Sequence, residues 1–184
     1  MRGIEHHDDK GHLLVIGGKK PIIYNANDSL LDRINKAQDN DEIIGPAHYA
    51  ETSFGGMGEK QLEKYHDKFN FIEIFNSLAH PRSNELALDA SVRYKLPGLS
   101  NSDDHNAKPG RAYTILNVNP NEDLDKLAEN IKNSIKNNNI LGHYQTYTGL
   151  LEKLWIFAGK EILHGNFDAV YDRIKRYYDQ KKLN

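Results

Sequence analysis

The stretch LPGLSNSDDHN, residues 96–106, decides how the rest of the chain is read. Pro97-Gly98 interrupts what precedes it, Leu99 opens a short extended run, and the polar cluster that follows has the composition of a loop. Asp103 and His105 stand two apart, so in extended chain their side chains point the same way. A strand that delivers an acid and an imidazole at its end suits a divalent metal, and α/β domains gather ligands at such strand ends.

Working outward, the same arrangement recurs. SNELALDASVRYK (83–95) reads as a capped helix with Leu86, Ala87 and Ala90 facing inward, and NFIEIFN (70–76) as a strand ending at Asn76. GEKQLEKYHDKF (58–69) is a helix, EIIGPAH (42–48) a buried strand ending at His48, and Asp28 or Ser29 caps a helix running to about Gln38. GIEHHDDKGHLLVIG (3–17) reads as two extended pieces around a polar turn, with Glu5 on the first piece and His12 on the second. Beyond the opening stretch, RAYTILNV (111–118) is a strand and residues 121–138 a helix with Leu124, Leu127 and Ile131 as its stripe. Two amphipathic helices over about 146–182 close the chain. Alternating strands and helices predict an α/β domain with a mostly parallel sheet, doubly wound or barrel-like.

Composition narrows the chemistry. The 184 residues suffice for one domain with a core, and a net charge of −2 at 27% charged residues argues against nucleic acid held by bulk charge. Cysteine is absent, so any metal is held by imidazole and carboxylate. The apolar runs are too short or too charged for a membrane span and no signal-peptide core is present, so a cytoplasmic protein with no membrane partner is expected. SFGGMGEK (53–60) lacks the spacing of a phosphate loop; its glycines instead make a loop after His48 able to cover a site.

Several of these segments together resemble the polymerase and histidinol phosphatase (PHP) family. GIEHHDDKGHLLVIG looks like its "PG-I-E … H-L-L-G" segment, IIGPAHY (43–49) like its "A-H-P" strand end, FIEIFNS (71–77) like its "vEvyN" strand and LPGLSNSDDHN like its "G-S-D-A-H" motif, followed by GRAYTIL (110–116). The likeness runs from Gly3 to Leu116. It implies a distorted TIM-like barrel of about seven βα units, holding divalent manganese, zinc or iron and hydrolysing phosphoester bonds with a metal-activated water. Carried over residue by residue, it makes Glu5 a bridging ligand, His12 a terminal ligand and His48 a third, with Asp103 and His105 completing the metal set. Glu5, Asp103 and His105 are the catalytic candidates. Lys108 and Arg111 on the rim, and His80 and Arg82 before the third helix, are candidates for a substrate phosphate.

The sequence departs from the family at Tyr49, Asn101 and Asp104, where the family has proline, glycine and alanine. It also lacks the family's opening "H-x-H". The resemblance therefore implies an incomplete distorted (βα)7 barrel, its first two βα units missing, over a single domain of residues 1–184. Such a barrel leaves sheet edges unpaired, so a homo-oligomer or a separate N-terminal segment is an expected partner, beside a phosphorylated small molecule or nucleotide as substrate. The alternative implied is a catalytically impaired PHP-like module that binds metal or regulates.

Overall fold

The structure, a computed structural model, describes residues 3–7, 11–17, 22–25, 27–105 and 110–149. Lys108 and residues 150–184, which hold most of the two helices expected over about 146–182, lie outside them; residues 146–149 are described and are not helical.

Seven strands and four α-helices follow one another in the described residues: β1 (Gly3–His6), β2 (Leu13–Gly17), α1 (Leu30–Asp39), β3 (Glu42–Pro46), α2 (Gly58–Tyr65), β4 (Ile72–Asn76), α3 (Pro81–Tyr94), β5 (Gly98–Asn101), β6 (Ala112–Leu116), α4 (Leu124–Lys136) and β7 (Ile140–Gln145). Local chemistry explains the helix starts. Ser29 caps α1 in a reciprocal box with Asp32, His80 caps α3 ahead of Pro81, and Asp123 caps α4.

Hydrogen bonding sorts the strands into three sheets, β1-β2-β3, β4-β5 and β6-β7. Only β4-β5 is parallel among these pairings, which differs from the mostly parallel sheet expected from alternation. The register shows why: Gly17 faces Glu42, so the connection containing α1 leaves and re-enters at one end of the sheet and β3 runs back against β2. The sheets adjoin in chain order, β3 beside β4 and β5 beside β6. Gly45 is a glycine for this reason, since a Cβ there would lie 2.4 Å from the Phe71 carbonyl oxygen.

Strand alternation then makes two apolar layers. Leu13, Val15, Ile44, Ile72 and Ile74 pack against α1, α2 and α3 through Leu30, Ile34, Leu62, Ala87 and Ala90. On the opposite side, Ile43, Phe71 and Leu99 meet Ile135 of α4, with Leu14, Ile16, Leu116 and Ile131 around them. Each fully buried aliphatic side chain of this kind contributes about 1.5–3 kcal/mol. The stripe of α4 is therefore centred on Ile131 and Ile135. Leu124, expected in it, is 79% exposed at the first position of the helix, ahead of the turns that pack. Lys132 fastens α4 to the β2–β3 side: its buried stem packs on Gly17 and its Nζ reaches Asp41 Oδ2 at 2.6 Å.

Candidate metal centre

Antiparallel register brings the first three candidates together. Leu13 faces Pro46, so the residue before β2 lies beside the turn after β3, and His12 O accepts from Ala47 N at 3.1 Å. Glu5, opposite Leu14 on β1, joins them from the neighbouring strand. The result is a triangle of potential ligand atoms: Glu5 Oε1 lies 2.9 Å from His12 Nδ1 and 3.1 Å from His48 Nε2, and the two ring nitrogens are 3.3 Å apart.

The parallel pair supplies the facing wall. Asn76 pairs with Asn101, so β4 and β5 end at the same level, and the chain past β5 delivers Asp103 and His105. Asp103 Oδ2 accepts from Asn76 Nδ2 at 3.0 Å, while His105 Nδ1 lies 2.9 Å from the Asp103 carbonyl oxygen. Glu5, His12, His48, Asp103 and His105 all line one cavity of about 160 Å³, together with His7, Glu51, Phe54, Asn76, Leu78 and Ala79. Asp103 and His105 are on its wall but outside the close triangle.

Two of these residues, His48 (φ 26°) and Asp103 (φ 47°), occupy the left-handed region that ordinary side chains avoid, a placement that costs energy and persists only where surroundings enforce it. The enforcing groups are identifiable. Glu73, 1% exposed, accepts the His48 backbone N–H at 2.6 Å through Oε2. Asn76 Nδ2 donates both to that same Oε2 and to Asp103, and its Oδ1 is fixed by the N–H groups of Leu78 and Ala79.

Electrostatics follow from this crowding. Burial works to raise the Glu5 carboxyl, but hydrogen bonds from His12 and His48 and the charges of His48 and His7 outweigh it and hold Glu5 well below the usual carboxylate range. Burial works to lower His48, yet Glu5, Glu73 and Asp103 around it push the imidazole up to about 9. Burial pushes Glu73 up to about 7 against the pull of His48. The triangle fits a cation: with both ring protons in place two N–H groups confront each other across 3.3 Å, whereas a divalent ion takes a lone pair from each nitrogen and from the carboxylate.

The remaining candidates stand elsewhere. His80 caps α3, its Nδ1 accepting from Arg82 N at 3.1 Å, and Arg82 is exposed and paired with Glu85 at 2.9 Å. Neither they nor Arg111 line the cavity. Tyr49 is buried in the larger apolar layer, its hydroxyl 3.0 Å from the Leu86 carbonyl, so it ties the turn after β3 to α3. His7, itself exposed, packs edge-on against His12 with ring centroids 4.2 Å apart and lines the cavity. The glycine loop lies against the site as a 3-10 turn (Thr52–Phe54): Gly55 O accepts His12 N at 2.8 Å, and a Cβ on Gly55 would fall 2.1 Å from His12 Nε2. Glu51, Glu73 and His7 escape sequence reading because a single acid or histidine in a strand or loop carries no periodic signal.

Residues 81–134, from α3 to most of α4, match the family model described as PHP-associated. No curated protein matches it. The matched segment contains Asp103 and His105; Glu5, His12 and His48 precede it.

Proposed function

We propose that the chain is a metal-dependent phosphoesterase of PHP type, built on part of a distorted βα barrel. The observation that carries this reading is the convergence of Glu5 Oε1, His12 Nδ1 and His48 Nε2 within 4.8 Å of one another, in a cavity that Asp103 and His105 also line. The succession of adjoining strands from β1 to β7 supports the barrel reading.

Glu5, His12 and His48 would hold the ion, and manganese, zinc or iron each accept such a mixed nitrogen and oxygen set. A divalent ion bound there supplies Lewis-acid activation of a water and charge for phosphate oxygens. The protein's own groups do the rest. Glu73 and Asn76 keep His48 and Asp103 in their strained backbone positions, so the ligand atoms are arranged before anything binds. Asp103 is placed to accept a proton on the cavity wall. His105, with Nδ1 engaged by the Asp103 carbonyl, retains Nε2 for proton transfer to a leaving oxygen.

The test is release of nitrophenol from bis-p-nitrophenyl phosphate and p-nitrophenyl phosphate with manganese added, for the wild type and His105→Ala. Turnover that falls at least about 100-fold in the variant supports the reading, in line with loss of a general acid or base. Stoichiometric metal with no turnover on either ester points instead to the metal-binding module.

A further inference from the structure

Glu51 is an acid in the cavity wall that neither the metal set nor the proposed proton transfers use. Its side chain is 98% buried, with only 2% exposed, and it lines the cavity beside the triangle. One oxygen, Oε2, accepts the backbone N–H of His80 at 2.9 Å. The other, Oε1, is buried with no hydrogen-bond partner among the described residues. A buried carboxyl oxygen left without a donor is costly, on the order of 1–3 kcal/mol, and such groups in folded proteins await a ligand, a water or a proton.

Local geometry shows why this side chain faces inward. Glu51 occupies the N-cap position of the 3-10 turn Thr52–Phe54 yet makes no capping bond. In a 3-10 turn residues three apart lie above one another, which sets Glu51 and Phe54 on the same side, and both line the cavity. Leu78 and Ala79 add apolar wall next to them. The lining thus combines a metal-binding part, formed by Glu5, His12 and His48, with one acceptor that lacks a donor and the apolar side chains of Phe54, Leu78 and Ala79.

We propose that Glu51 is a substrate-recognition residue, its Oε1 accepting a hydrogen bond from a hydroxyl or ammonium group on the leaving-group side of a small phosphomonoester. This rests on the phosphoester reading above: the phosphate occupies the metal-binding part, and the carbon skeleton lies along Phe54, Leu78 and Ala79. A hydroxyl and an ammonium share the donor chemistry but differ in charge, so they are separable. With glutamine at position 51 the single amide oxygen stays on the His80 N–H and the amide NH2 takes the place of Oε1, where a hydroxyl can accept from it and an ammonium, which has no acceptor, cannot.

The test is calorimetric titration of the full, manganese-loaded chain with four non-hydrolysed probes: inorganic phosphate, ethylphosphonate, 2-hydroxyethylphosphonate and 2-aminoethylphosphonate. A donor-bearing probe is expected to bind about 10-fold more tightly than ethylphosphonate, the strength of one good hydrogen bond to a charged acceptor. That advantage disappears in Glu51→Ala. In Glu51→Gln a hydroxyl advantage survives and an ammonium advantage does not, which identifies the donor. Near-ultraviolet circular dichroism and metal stoichiometry confirm that each variant is folded; if Glu51→Ala is not, the Glu51→Gln comparison with 2-aminoethylphosphonate and the wild-type ranking carry the test. Equal binding of the three phosphonates to wild type, or an advantage that survives Glu51→Ala, overturns the inference alone, and Oε1 then faces only water. Failure of phosphate and every phosphonate to bind overturns the phosphoester reading and this inference with it.

Discussion

Glu73 Oε2 receives the backbone N–H of His48 at 2.6 Å, a contact between a fully buried strand acid and a histidine in left-handed backbone conformation. The strain at His48 is thus balanced by an acceptor that a solvent-exposed turn would lack. Glu73→Ala removes the acceptor and leaves a cavity, and is expected to lower unfolding free energy by about 2–4 kcal/mol in urea titration. Metal affinity should fall with it. An unchanged urea midpoint would show that the turn after β3 is held by something else.

The same pair sets a pH dependence in the metal-free chain. Glu73 and His48 are both raised in the folded state, from ordinary values of 4.5 and 6.5 to about 7 and about 9. Groups raised on folding contribute stability that is complete below their unfolded values and is lost as pH climbs through the folded ones. Stability should therefore decline between about pH 4.5 and 9. Glu5 acts in the opposite sense: held low, it stabilises above about pH 4.5 and loses that contribution as acid titrates it. Urea midpoints measured across this range with chelator present should peak near pH 5 and fall towards pH 9, the upper part of the fall being absent in His48→Asn. A flat profile contradicts the assignment.

Metal removal distinguishes the triangle from the facing wall. His48→Ala deletes one of three converging atoms and is expected to weaken manganese or zinc binding by more than about 100-fold, whereas Asp103→Asn, outside the triangle, should weaken it by about 10-fold. Elemental analysis after dialysis against buffered metal reads both, with far-ultraviolet circular dichroism unchanged. Equal occupancy in wild type and His48→Ala ends the proposal of a metal centre.

Gly55→Ala is a sharper probe than its size indicates. With φ of 91° and a Cβ position 2.1 Å from His12 Nε2, the alanine must displace either the loop or the imidazole. The expected outcome is a stability loss of about 1–3 kcal/mol together with reduced metal content. A variant that keeps both would show that the loop moves freely away from His12.

Lys132→Ala tests the attachment of α4. The buried ammonium is bonded to Asp41 Oδ2 at 2.6 Å and to Glu129 Oε2 at 2.8 Å, and its removal should cost about 1.5–3 kcal/mol in urea titration while metal stoichiometry stays constant. A parallel loss of metal would mean that α4 bears on the site directly.

Much of this was readable from the residues. The cap at Ser29, the strand ending at Asn76 and the loop bearing Asp103 and His105 are short-range features, and each is written in adjacent residues. Pairing direction was not, because whether β3 runs with or against β2 depends on which end of the sheet the α1 connection returns to. The supporting acids were hidden for a related reason: Glu73 sits among Ile72, Ile74 and Phe75 and looks like a solvent-side strand residue until both faces of β4 are found covered. Leu124 misled in the other direction, since helical spacing alone does not say at which turn of the helix packing begins.

The two walls of the cavity come from different sheets, the first carrying Glu5, His12 and His48 and the second leading to Asp103 and His105. Between them Glu73 Oε2 spans the gap, accepting from His48 N on one side and from Asn76 Nδ2 on the other. Any molecule that grips both walls therefore acts as a rivet between two separately hydrogen-bonded plates, and occupancy should register far from the chemistry, as slower amide exchange along β4 and β5 as well as along β2 and β3.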